Sequence, residues 1–135
     1  MKTRNIVLLF VAVAFMIGCA GLPKTTRTGE IHTVRIEKIL SDPKLTVKVN
    51  DEIRWINYRT EPVTIEFVPD PKISFSCEKG FSGMLSKAKM SARIKAGEFV
   101  SLCFSESGEF KYNVRMTAVV IGAETIAPGV IVVEK

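Results

Sequence analysis

Residues 44–67 read KLTVKVNDEIRWINYRTEPVTIEF, and this stretch decides the fold. Leu45, Val47 and Val49 alternate with Thr46 and Lys48, the period of two that belongs to a half-buried strand. Asn50-Asp51 is a turn signal, because both side chains tolerate left-handed backbone and bond to it locally. Residues 52–57 (EIRWIN) make the next strand, and Trp55 reads as core. From Pro62 the chain is extended again, with Val63, Ile65 and Phe67 on one face.

The pattern continues outward. Residues 33–40 (TVRIEKIL) set Val34 and Ile36 against Arg35 and Glu37. Residues 91–95 run to a turn at Ala96-Gly97, and residues 98–104 then place Val100, Leu102 and Phe104 opposite Phe99, Ser101 and Cys103. Ser107-Gly108 turns into Phe110, Tyr112 and Val114, and residues 119–121 and 130–133 are the last apolar runs. Short strands at this spacing, rich in β-branched and aromatic residues, predict an all-β Greek-key sandwich of about seven or eight strands. Only the stretch around residues 78–90 departs from the pattern. There Phe81, Met84, Leu85 and Ala88 take helix-like spacing, weakened by Gly80 and Gly83, which predicts a loop or short helix.

The organisation is tripartite. Lys2 and Arg4 precede an apolar run over residues 6–17, the form of a secretory signal occupying residues 1–18. Met16-Ile17-Gly18-Cys19 resembles the lipobox of bacterial lipoproteins, in which the cysteine is acylated and becomes the new N-terminus. The resemblance implies lipidation at Cys19, and several acyl chains on one residue anchor stably where one would not. Ala20 follows in place of aspartate, which implies the outer membrane, facing the periplasm, if the source is Gram-negative. Residues 19–30 carry the lipidated cysteine and a short tether rich in Gly, Thr, Pro and charge. Residues 31–135 are of ordinary size for one domain with its own core.

Composition narrows the function. Losing Lys2 and Arg4 with the signal takes the net charge from +5 to +3. The cations are scattered among acids, unlike the clustered basic patch of a nucleic-acid binder. With Cys19 lipidated, Cys77 and Cys103 remain. In an oxidising compartment they read first as a disulfide, contributing about 3–4 kcal/mol by chain entropy. Two buried thiols, or a thiolate for a soft metal, are the alternatives.

Two segments carry a family resemblance. Residues 44–67 resemble the cupredoxin stretch in which a strand with tryptophan and asparagine leads to a metal-binding histidine. Residues 95–114 (KAGEFVSLCFSESGEFKYNV) resemble the second signature, which leads to the copper cysteine. With the GVIVV strand at the C-terminal end, the resemblance covers most of residues 31–135. It implies a cupredoxin-like sandwich, with the copper ligands falling at Val63, Val114, Thr117 and near Ala127. None of these side chains suits copper, which takes imidazole and soft sulfur. The valines would pack as ordinary core. The one histidine is His32. The resemblance therefore implies a frame without its metal and without a cofactor.

Other chemistry is sparse. A soft Cu(I) site would have to draw on Met84, Met90, Met116, His32 and a free cysteine, or on a second chain. A serine or cysteine nucleophile would need His32 as its base, and no phosphate-binding glycine loop is present, so the chain reads as non-enzymatic. The polar loop Tyr58, Arg59, Thr60 and Glu61 lies at the end where copper would sit. Tyr and Arg dominate binding hot spots, which makes the loop a candidate contact for an envelope protein partner. An exposed turn with no partner is the alternative.

Overall fold

The computed structural model describes residues 29–82, 90–117 and 122–135. The signal segment, Cys19, the tether up to residue 28, Met84 and the run at 119–121 lie outside them, as does most of the expected loop or short helix.

Nine strands form two packed sheets among the described residues: β1 (Ile31–Ile36), β2 (Lys44–Lys48), β3 (Glu52–Asn57), β4 (Val63–Phe67), β5 (Phe75–Lys79), β6 (Ser91–Ile94), β7 (Phe99–Phe104), β8 (Gly108–Thr117) and β9 (Glu124–Glu134). One sheet has the order β1-β3-β7-β5, the other β2-β9-β8-β4-β6. Two neighbour pairs, β1 with β3 and β2 with β9, are parallel, and the rest are antiparallel. Only β8 and β9 are neighbours both in sequence and in a sheet, and each of the other seven connections runs from one sheet to the other, as in Greek-key sandwiches.

The sandwich is as expected; the strand count is not. β5 is an addition, because Cys77-Glu78-Lys79 reads as the start of the irregular stretch yet pairs with β7. Its side chains are half-buried or exposed throughout, so no apolar alternation marks it. The strand expected over residues 33–40 stops at Ile36. Residues 37–39 turn back, and Leu40 bridges to Ile36 and is buried. β9 extends six residues before Val130, through Pro128. That proline is tolerated because pairing with β2 begins only at Val130, leaving that side of β9 unpaired.

The core is built round five aromatic rings. Trp55 meets Phe67, Phe81 and Tyr112 edge-on, with centroids 6.2, 5.8 and 5.5 Å away. Phe104 joins Phe67 at 6.2 Å. Edge-to-face contact sets the positive rim of one ring against the negative face of another, which adds to the gain from burial. Tyr112 lies across the strand from Gly129, and a Cβ there would come within 2.2 Å of its ring.

Candidate functional site

The positions implied for copper ligands sit at one pole of the sandwich. Val63 opens β4 and opposes Met116 on β8, while Ile65 opposes Val114. Val114 in turn opposes Ala127 on β9. Val63 and Val114 are 1% and 0% exposed and belong to the core, and Ala127 packs partly buried against it. Thr117 has the opposite orientation. Alternation along β8 turns Tyr112, Val114 and Met116 inward and leaves Thr117 exposed. Three of the four positions therefore share an inner layer and the fourth does not. Beyond Val114 the chain continues as strand, its ladder with β9 running to Thr117 opposite Glu124.

The soft-metal candidates do not converge. Cys77 and Cys103 are joined by a disulfide between directly opposed residues, with Cα atoms 4.8 Å apart. Met116 is in register with Val63, whereas the Met90 carbonyl accepts the Phe67 amide at the other end of β4. Four residues of strand separate them, about 13 Å. His32 lies near the start of β1, away from both. Its Nε2 is 2.9 Å from Asp51 Oδ2. Among the described residues, no group of three or more His, Cys, Asp or Glu side chains is placed to hold a metal.

The loop over residues 58–61 is held from beneath. Asn57 is fully buried. Its amide nitrogen donates to the carbonyls of Glu61 and Ile94 at 2.9 and 3.0 Å, and its Oδ1 accepts the Arg59 amide at 2.9 Å. The Arg59 guanidinium donates to the carbonyls of Glu37 and Thr117 at 3.2 and 3.1 Å. It ties the β1–β2 connection to the end of β8, with its side chain only 17% exposed. The Thr60 hydroxyl donates to the carboxylate of its chain neighbour Glu61. Tyr58 is the member that projects, 59% exposed, and Ile39 and Ile126 are exposed apolar side chains at the same pole. Residue type alone makes Arg59 and Tyr58 contact residues together. The structure uses Arg59 as a brace and presents Tyr58.

A second polar hub, at the opposite pole, carries no motif that sequence reasoning picks out. Asp51 is buried and accepts the amides of Glu30 and Lys48, each at 2.9 Å, as well as bonding His32. Burial opposes its charge, but the bonds from Lys48, His32 and Glu30 outweigh it and hold the carboxyl below its ordinary 3.8. Gly29 packs so closely on this turn that a Cβ would meet the Asn50 carbonyl oxygen at 2.4 Å. Asn50 takes the left-handed conformation, φ 70°, and the turn it makes is the one signal of this hub in the sequence. The chain thus enters the sandwich at the pole opposite Tyr58.

No protein-family model matches the chain, and no curated protein does. Solved structures do. The Cu(I) form of a methionine-to-alanine variant of amicyanin is 29% identical, with a TM-score of 0.52, covering 78% of this chain and 83% of that one. An oxidised proline-to-alanine variant of amicyanin gives the same identity, TM-score and coverage. A reduced tryptophan-to-tyrosine variant is 27% identical with a TM-score of 0.52, covering 79% of this chain and 84% of that one. The sandwich is cupredoxin-like.

Proposed function

We infer that this chain is a non-enzymatic lipoprotein whose cupredoxin-like domain serves as a metal-free binding module in the cell envelope. The observation that carries the reading is the inner layer at the copper pole. Val63, Val114 and Met116 are packed as core there, Val63 between Ile94 and Met116 and Val114 between Ile65 and Ala127 across the strands. Valine has no lone pair to offer, and buried apolar area stabilises at about 25 cal/mol per Å², taking over what a metal would contribute. The surface above this layer carries Tyr58, Ile39 and Ile126. An anchor at Cys19 joins the domain at Gly29, at the other pole, so the Tyr58 end is the one carried away from the lipid.

Copper titration of the soluble domain from residue 20, exported and purified without chelator, tests the metal-free part. The expected result is no bound metal and no charge-transfer band. Stoichiometric copper overturns it. Anchoring is tested separately: Cys19→Ser shifts the protein from the membrane to the soluble fraction. Crosslinking pull-down tests the module, with Tyr58→Ala expected to lose the captured partner while the domain stays folded.

A second reading, a copper-binding or electron-transfer protein with an unusual Cys/Met/His or intersubunit site, is favoured by the likeness to amicyanin, one of whose solved forms is Cu(I). The disulfide weighs against it, because both thiolates available to a soft metal are consumed.

A further inference from the structure

We propose that the Cys77–Cys103 disulfide is a redox-controlled strap: its reduction by an external dithiol releases β5 and opens the aromatic core beside Trp55 while the rest of the sandwich stays folded. Apart from the crosslink, β5 is weakly held. It is an edge strand with one neighbour, β7, and its pairing is interrupted between Phe75 and Cys77. It is the one strand of the nine with no buried residue. Phe75 packs on Phe104 at 5.3 Å, but Glu78 and Lys79 are exposed. An edge strand with little buried area opens at low free energy once its crosslink is gone.

The segment just beyond β5 gives the opening a consequence. Gly80, at φ +82°, turns the chain into Phe81, whose ring covers Trp55 and Phe67 with centroids 5.8 and 5.9 Å away. Ser82 stays bridged to Ser91 by two backbone bonds of 2.9 and 3.1 Å, so releasing β5 frees this cover from one side and admits water or a ligand to the two rings. The bond also faces outward. Cys103 is 1% exposed, but Cys77 is half-buried on the edge strand and is the sulfur an incoming thiolate can reach. Lys79, two residues along on the same face, lies over the Phe99 ring at 3.6 Å and supplies positive charge beside that approach, whereas the charge of Arg54 is taken up by Glu52 at 2.8 Å, in register with Cys103.

The exchange balances with a dithiol as reductant. Its thiolate attacks Cys77 Sγ, the sulfur–sulfur bond breaks, and Cys103 leaves as thiolate. The dithiol's second sulfur resolves the mixed disulfide and departs as a cyclic disulfide. Two electrons and two protons end on Cys77 and Cys103.

The test treats the full chain with dithiothreitol at neutral pH without denaturant, then follows amide hydrogen exchange by mass spectrometry. The expected result is two new thiols, mapped to Cys77 and Cys103, with exchange rising at least tenfold over residues 75–82. Exchange in β3, β4 and β8 stays within twofold of the oxidised protein. A bond that reduces only after global unfolding, exchange that rises throughout, or reduction with no change at residues 75–82 each overturns the proposal. The Cys77→Ser/Cys103→Ser protein should show the same local pattern without reductant. Should that variant not fold, the reduced wild-type chain still decides.

Discussion

Tyr112 shows how one side chain balances packing against a polar cost. Its ring fills the space over Gly129 and touches Trp55 and Phe67. Its hydroxyl is buried and lacks a well-formed hydrogen-bond partner among the described residues. Burial pushes it up to about 12, with the Trp55 indole working the other way. The unfolded chain ionises near 10, so between those values it sheds its proton first. This stability is complete below pH 10 and lost as pH rises through 12, about 2–3 kcal/mol in all. Tyr112→Phe is expected to keep stability at pH 7 within about 1 kcal/mol, because no good bond is lost. It should also remove most of the alkaline decline, as urea unfolding at pH 7 to 12 will show. Asp51 works in the opposite sense. Its folded-state value is depressed, so its contribution is present above 3.8 and lost as pH falls through the lower, folded value. Asp51→Asn should cost about 2 kcal/mol at pH 7, since an amide cannot accept all three bonds. It should also flatten the acid limb of the stability curve, and an unchanged acid limb would contradict the role given to this carboxylate.

At the scale of elements, the clear alternators are legible in the sequence and the polar supports are not. β2, β3, β4, β7 and the heart of β8 follow from apolar period alone, because each turns an apolar face into the core. β5 escapes because hydrogen bonding and a disulfide hold it, and neither leaves a hydrophobic period. Alternation puts Ser101 and Cys103 on the outer face of β7, yet both are buried in the crosslinked sheet. The copper pole is partly legible. The apolar character of Val63 and Val114 marks them as core, and the structure packs them so, but Thr117 is grouped with them by sequence position although strand parity turns it outward. Asn57 explains why the 58–61 loop has one conformation. It donates twice and accepts once through its side chain, while its own carbonyl takes the Gly97 amide at 2.8 Å. Asn57→Ala should therefore destabilise the domain by about 2–4 kcal/mol, since it leaves the buried Ile94 carbonyl short of a donor. The loss should come with altered amide shifts in both the 58–61 loop and the 95–98 turn. A stability change below about 0.5 kcal/mol would mean that water replaces the amide freely.

For the whole molecule, the question is whether the sandwich needs its crosslink. The core is continuous across both sheets and includes the five aromatic rings, and none of its fully buried members comes from β5. A domain of this size has a stability of about 5–15 kcal/mol. The disulfide joins residues 26 apart in sequence, which by chain entropy stabilises by about 3.5 kcal/mol through the unfolded ensemble. The loss on removing it then falls mainly on the unfolded state, and most native packing survives. Cys77→Ala/Cys103→Ala is accordingly expected to remain folded at 20 °C, with a far-UV circular dichroism spectrum that keeps the β-sheet signature of the wild type apart from the small loss due to the released β5. Its melting midpoint should drop by about 15–20 °C, since each kcal/mol is worth about 4–6 °C in a domain of this length. A double variant that is unfolded at 20 °C would show that the two sheets cannot hold together on burial alone. A midpoint within about 3 °C of the wild type would show that the unfolded chain is already compact enough for the crosslink to constrain little.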